Sequence, residues 1–182
     1  TGVRQAGRVR RGLGRTFQIN TLFNQLPVLD NVALAVAERR GVAQRFWRPA
    51  AAHREVTEES LELLATLGLA HDAGTRVADL PYGKQRLVEI AIALGLRPRV
   101  LLLDEPAAGV PSVESERILE VLERLPPEIA ILIIEHDMDL VFRFARRITV
   151  LVQGEVLVEG PPEAIGRDPR VHQVYLGEQR HG

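Results

Sequence analysis

The run Val100-Leu101-Leu102-Leu103-Asp104-Glu105-Pro106 constrains this chain more than any other stretch. Four successive apolar residues without polar alternation fit a strand covered on both faces, as in a parallel sheet sandwiched by helices. Pro106 has no N–H to offer a ladder and stops the strand. Two carboxylates are thereby delivered to the carboxyl end of a buried strand, the rim at which open α/β sheets bind ligands. Adjacent Asp104 and Glu105 can serve a divalent cation and a water there, or can simply cap the strand toward solvent. The rest of the chain has to separate those two readings.

With 182 residues, 46% of them hydrophobic, the chain can bury a substantial core and is most simply one domain with room for a subdomain. Lys and Arg total 23 against 24 Asp and Glu, and this balance argues against general nucleic-acid affinity, which needs a basic face. There is no cysteine, which removes disulfides and thiolate chemistry and is compatible with a reducing cytosol. No apolar run approaches the roughly 20 residues needed to cross a bilayer, and the N-terminus lacks the apolar segment of a secretory signal. A membrane role is therefore expected to be peripheral.

Residues 1 to 15 are rich in Gly and Arg (Arg4, Arg8, Arg10, Arg11, Arg15) without a periodicity that would start a domain. Such a run reads as a solvated face, or as a contact for an acidic partner or phosphates. Thr16-Phe17-Gln18 stands at a strand end leading into a loop. Pro27 to Ala37 reads as a short helix, and a longer one is expected from about Ala51 to Leu67, with Leu63, Leu64 and Leu67 as its stripe and Gly68 as its stop. A helix from about Gly83 to Leu96 sets Leu87, Ile90, Ala91 and Leu94 at core-facing spacing. Beyond the central strand, Ser112 to Arg124 is helical and ends at Pro126-Pro127. Ile129 to Ile134 is a second buried strand, and Met138 to Ala145 a helix. Ile148 to Val152 and Glu155 to Glu159 flank Gln153-Gly154 as a hairpin or two edge strands, and Asp168-Pro169 opens a short helix through Tyr175. Buried strands alternating with helices define an α/β class with a mostly parallel sheet.

Two stretches imitate a phosphate-binding loop, G-x-x-x-x-G-K-[ST], and neither completes it. After Gly2 and Gly7, Arg8 and Val9 replace the lysine and the hydroxyl residue. At Gly83-Lys84, Gln85 follows and Ala78 occupies the first glycine position.

In order along the chain, Gln18, then Leu80-Pro81-Tyr82-Gly83-Lys84-Gln85-Arg86, then Leu101 to Pro106, then His136 resemble the Q-loop, signature, Walker B and switch histidine of an ABC-transporter ATPase. The nearer resemblance is to the ATP-binding subunit of branched-chain amino-acid importers of the high-affinity type. It rests on Gly14-Arg15-Thr16-Phe17-Gln18, on the signature, on Asp104-Glu105-Pro106-Ala107-Ala108-Gly109, on Ile134-Glu135-His136-Asp137-Met138, and on Asp168-Pro169-Arg170-Val171 with Tyr175-Leu176-Gly177. The fold this implies is P-loop NTPase-like (RecA-like): α/β, with a mostly parallel sheet and a helical signature subdomain. The family's N-terminal region, with Walker A, would lie ahead of Thr1, so the chain is expected to be N-terminally truncated. The organisation implied is 1–27 as the Q-loop segment of the core, 28–96 as the helical subdomain with the signature, 97–160 as the Walker B and switch-histidine core, and 161–182 as a C-terminal helical tail.

The resemblance implies the site as well. Asp104 would hold Mg²⁺ where it bridges phosphates, and Glu105 would orient or deprotonate the attacking water. His136 would contact the γ-phosphate. Gln18 would touch the Mg²⁺ or the water and lead into the segment that docks on a membrane subunit; as residues, Gln18 also reads as an ordinary loop position and His136 as a strand-end cap. Leu80, Pro81, Tyr82, Gly83, Lys84 and Gln85 would face, from a helix N-terminus, the γ-phosphate of ATP bound by an opposite subunit.

The implied protein is a nucleotide-binding subunit of an importer, peripheral at the cytoplasmic face of the inner membrane, with ATP and Mg²⁺ as its cofactors. Its partners would be transmembrane permease subunits and a second ATP-binding subunit, with no nucleic acid. Without Walker A this chain alone is expected not to hydrolyse ATP. The missing strand is expected to lie beside the Walker B strand, leaving an apolar edge that promotes self-association. Departures from the family pattern are Pro81 and Tyr82, which read as a subfamily mark, and Val110-Pro111-Ser112, where Leu-Asn-Pro is usual. A different class remains open: a non-catalytic module that donates only its signature to a partner's nucleotide. A chromosome-type or DNA-repair ATPase head is disfavoured, because too little chain separates Gln18 from the signature to hold a coiled coil.

Overall fold

The computed structural model describes residues 2, 5–9, 11–16, 22–42 and 54–175. It divides into two units, Thr1–Ile134 and Glu135–Gly182.

In the first unit a short helix α1 (Gln5–Val9) precedes strand β1 (Leu13–Arg15). Helices α2 (Val28–Arg39), α3 (Arg54–Thr66) and α4 (Tyr82–Gly95) follow, then β2 (Val100–Asp104), α5 (Ser112–Glu123) and β3 (Ala130–Ile134). The three strands form one parallel sheet in the order β1-β2-β3, with Leu102 opposite Arg15 on one side and Leu132 on the other. Parallel neighbours require crossovers, and helices supply them: α2 to α4 between β1 and β2, α5 between β2 and β3.

Four expectations change here. The Gly- and Arg-rich start contains α1 and β1, because Gly14 lets the strand pass close to Pro98: a Cβ at position 14 would stand 3.0 Å from Pro98 Cβ. β2 is fully covered on one face only, with Leu101 and Leu103 buried and Val100 and Leu102 half-buried. The run at 130–134 is not a buried strand; Leu132 and Ile134 are 59% and 60% exposed, on the face they share with Leu102 and Asp104. The open apolar edge expected beside β2 accordingly lies at β3, since both sides of β2 are paired and β3 ends the sheet among the described residues.

α4 is buried nearly all round, against α2, α3, α5 and β1. Its Gly95 admits α2, where a Cβ would approach Val36 Cγ2 to 3.3 Å. Glu59 of α3 ties the helices together. Its carboxylate receives Arg39 Nη2 at 2.6 Å and Arg40 Nε at 2.9 Å from the end of α2, and Arg97 Nε at 3.0 Å from beyond α4.

The second unit has its own core of Ile148, Val150, Ile165 and Val171, packed with Phe142, Leu157 and their neighbours. Asp137 starts α6 (Met138–Phe144) by accepting the Leu140 N–H at 3.2 Å. Strands β4 (Ile148–Val152) and β5 (Glu155–Gly160) pair antiparallel across Gln153 and Gly154, whose φ of 51° and 85° form the two-residue hairpin turn that matches strand twist. After α7 (Pro162–Ile165), the Asp168 carboxylate accepts the Arg170 N–H at 2.9 Å and opens α8 (Pro169–Tyr175), as the Asp-Pro pair predicts. The Arg170 side-chain and backbone hydrogen bonds hold the Asp168 carboxyl down at about 2.

Candidate functional site

β2 carries Asp104 to its carboxyl end, in register with Ile134. Its Oδ2 lies 3.6 Å from Arg15 Nη2 at the end of β1, and its side chain is 26% exposed. Glu105 follows with φ of 46°, in the left-handed region, which costs an L-residue with a Cβ about 1 kcal/mol or more. The surroundings enforce this conformation: the Glu105 N–H donates to Ile134 O at 2.9 Å, and the Glu105 carbonyl accepts from Ala108 N–H at 3.1 Å. Side-chain-bearing residues held in that region concentrate at functional sites.

Among the described residues no three His, Cys, Asp or Glu groups come together as a metal cage. A single half-buried carboxylate at a strand end instead suits magnesium, which keeps water ligands and takes phosphate oxygens. Thr16, buried just beyond β1, donates its N–H to Leu102 O at 3.0 Å. Gln18 lies outside the described residues.

The candidate signature surrounds the start of α4. Pro81 occupies the cap position without a side-chain hydrogen bond, so the first N–H groups of the helix look outside it for acceptors. The Gly83 N–H finds one in a carboxylate oxygen of Glu114, on the first turn of α5, at 3.2 Å. A side chain at position 83 would collide with that carboxylate, and its Cβ would lie 3.1 Å from Glu114 Cβ and Cδ. Tyr82 packs near Gly109, where an added Cβ would be 3.6 Å from its Cε1, and Arg86 lies over the Tyr82 ring at 5.1 Å. Gly109 has φ of 72°, which only glycine adopts without strain, and it turns the chain toward α5.

The six signature residues serve different ends. Leu80 is buried in the core. Lys84 Nζ is held 2.8 Å from both carboxylate oxygens of Asp72, and Gln85 Nε2 donates back to Leu80 O at 3.0 Å. Pro81 and Tyr82 are exposed, and Gly83 is buried against Glu114.

Sequence reasoning missed Glu114 and the pairing of Arg86 with Glu89. Glu114 comes from another helix, and nothing local marks it. Arg86 and Glu89 form a buried pair on α4, with Arg86 Nη1 2.9 Å from Glu89 Oε2. Burial raises the Glu89 carboxyl above its ordinary range, against the opposing pull of Arg86. Their i, i+3 spacing on a core-facing helix was the available signal. With Thr16, Ile90 and Pro106 they line a small cleft between α4 and the start of the two rim segments.

His136 belongs to the second unit. Its side chain is 73% exposed, and Nδ1 stands 4.0 Å from Oε2 of Glu135, whose own side chain is 2% exposed.

A parallel sheet with acidic residues at the carboxyl end of its central strand, beside a helix that begins with a Tyr-Gly pair, defines a class, and the chain belongs to it: the ABC transporter ATP-binding family. The ABC transporter family model matches residues 3–108, and the model for the branched-chain amino acid ATP-binding cassette transporter matches residues 155–181. Over 178 residues, 93% of this chain and 69% of the relative, the sequence is 38% identical to the high-affinity branched-chain amino acid transport ATP-binding protein BraF of Pseudomonas aeruginosa. Over 177 residues, again 93% and 69%, it is 37% identical to the protein of the same description, LivG, of Escherichia coli K12. The fold is α/β and P-loop NTPase-like. It superposes on the ADP conformation of an ATP-binding cassette of an ABC transporter with TM-score 0.79 at 29% identity, covering 97% of this chain and 73% of that one. A nucleotide-free ATP-binding cassette from an ABC transporter gives 0.78 at 28%, covering 96% and 72%.

Proposed function

We propose that this chain is the nucleotide-binding part of an importer for branched-chain amino acids, coupling ATP binding and hydrolysis to transport by permease subunits. The observation that carries the reading is the rim of β2: Asp104 ends a central parallel strand, and Glu105 follows it in an enforced left-handed conformation. The relatives named for branched-chain amino acid transport supply the cargo class, and the match over residues 155–181 supports it.

Asp104 is the residue to hold Mg²⁺, largely through water, with Arg15 beside it as a fixed positive charge. The metal, when bound, neutralises charge on the transferring phosphoryl group. Glu105 orients the attacking water and accepts its proton. By the resemblance, Gln18 is assigned to the water or metal and His136 to the γ-phosphate. Gly83 and the start of α4 face the triphosphate held by a second ATP-binding subunit, which is how nucleotide joins the two. Docking on separate permease subunits at the cytoplasmic face follows from the resemblance to the named branched-chain amino acid transport ATP-binding proteins.

The test is ATP turnover by the gene product at its natural length, reconstituted with permease and binding-protein subunits of a branched-chain amino acid transporter, with uptake of leucine, isoleucine and valine as the readout. Uptake driven by ATP and lost in E105Q is expected; turnover unaffected by E105Q would overturn the assignment. The signature residues Leu80–Gln85 by themselves also allow one second reading, a module that donates its signature to a partner's nucleotide. A phosphate-loop sequence in frame ahead of Thr1 in the gene excludes it.

A further inference from the structure

The start of α4 already carries an anion. The Gly83 N–H, at the one point of the helix N-terminus where a glycine lets another group reach the backbone, is bonded to the Glu114 carboxylate at 3.2 Å. The approach is so close that no side chain fits at position 83 without displacing it. α4 offers no cap of its own, so Glu114 supplies the acceptor that the helix lacks. Its arm is anchored where α5 begins, immediately after Gly109-Val110-Pro111. The Ser115 hydroxyl, next to it, bonds Val110 O and Pro111 O at 3.2 Å each, so the anchor is tied to the preceding loop.

We propose that Glu114 is an internal stand-in for phosphate: it occupies the signature N–H in the separate subunit and has to swing away when the triphosphate held by a second subunit arrives. The inference rests on reading Leu80–Gln85 as the ATP-facing signature. A carboxylate and a γ-phosphate carry charge of the same sign and compete for the same N–H and the same helix dipole, so both cannot remain there. Glu114 therefore sets how much nucleotide is needed to bring two subunits together, and it keeps the signature end of α4 ordered when no nucleotide bridges them. Its position at the start of α5 links this release to the Gly109-Val110-Pro111 loop, whose movement shifts the anchor of the arm.

The experiment measures ATP-driven dimerisation of the natural-length protein by sizing chromatography with light scattering, in an E105Q background that prevents turnover. The parent E105Q protein is expected to dimerise on addition of ATP and Mg²⁺; if it stays monomeric, the signature reading itself fails. Given a dimer, E114Q is expected to lower the ATP concentration at half-dimerisation about tenfold, because the competing charge is gone. E114D keeps the charge in the first turn of α5 but is one methylene too short to reach Gly83, and it is expected to fall between the two. A half-dimerisation concentration unchanged or raised in both variants overturns the proposal and leaves Glu114 as a helix cap. The Gly83 amide resonance provides a readout independent of either variant's stability. In the E105Q protein it moves on addition of ATP if the N–H changes acceptor, and it stays in place if Glu114 never lets go.

Discussion

Glu105 is the residue at which stability and chemistry pull apart. Its left-handed backbone favours glycine, so E105G is expected to be neutral to stabilising, by up to about 1 kcal/mol, once the extra freedom of glycine in the unfolded chain is set against the relief of strain. Chemical denaturation of the two proteins checks this, and a loss of stability in E105G would show that the Glu105 side chain contributes more than its backbone costs. In the natural-length protein, E105G and E105Q are both expected to lower ATP turnover by about 10²-fold or more, the usual worth of a positioned general base. The Asp104–Glu105 pair was legible in the sequence because four apolar residues and a proline locate a strand end without further information. Glu114 was not legible, because its role depends on a contact between α4 and α5, 31 positions apart in the chain.

At the scale of elements, the helical part is organised around Glu59. Burial pushes its carboxyl up, but the hydrogen bond from Arg40 and the charges of Arg39, Arg97 and Arg40 outweigh that and hold it below its ordinary range. A carboxyl depressed in the folded state contributes stability above its unfolded pKa and loses it as pH falls through the folded value. E59Q is therefore expected to destabilise the chain at neutral pH by about 1–3 kcal/mol, leaving three guanidinium groups without their shared acceptor. The difference between E59Q and the parent should shrink progressively once the pH drops below the ordinary glutamate range. Urea titrations at a series of pH values check the sign, and a gap that widens on acidification contradicts it. Most helix positions followed from periodicity, and α8 from its Asp-Pro start. The pairing of Glu59 with arginines on either side of it did not, since a charged residue carries no partner label in sequence.

For the whole molecule, the consequential surface is β3. Its outer edge is unpaired among the described residues, and Leu132 and Ile134 stand largely exposed on its open face. An apolar strand edge of this kind recruits a second strand. This 182-residue chain is expected to self-associate at high concentration, and L132K is expected to shift it toward monomer. Static light scattering over a concentration series decides the matter: a parent chain that remains monomeric throughout removes the argument. A second whole-chain expectation is that ATP with Mg²⁺ shows no tight binding and no turnover on this chain by itself. It carries no lysine-bearing phosphate loop, and calorimetric titration with a phosphate-release assay tests that directly.

The sequence by itself determined the α/β class, the order of the elements from α2 onward in outline, the acidic rim and the family. Those follow from local rules: apolar runs, helical spacing, turn residues and short motifs act through neighbours in the chain. Only the tertiary structure decided which apolar strand is central and which is the edge, because two such runs look alike until hydrogen-bond partners are assigned. It also decided that the Gly83 N–H at the start of α4 is bonded to a carboxylate from the next helix, a contact made by packing and invisible to any window of sequence.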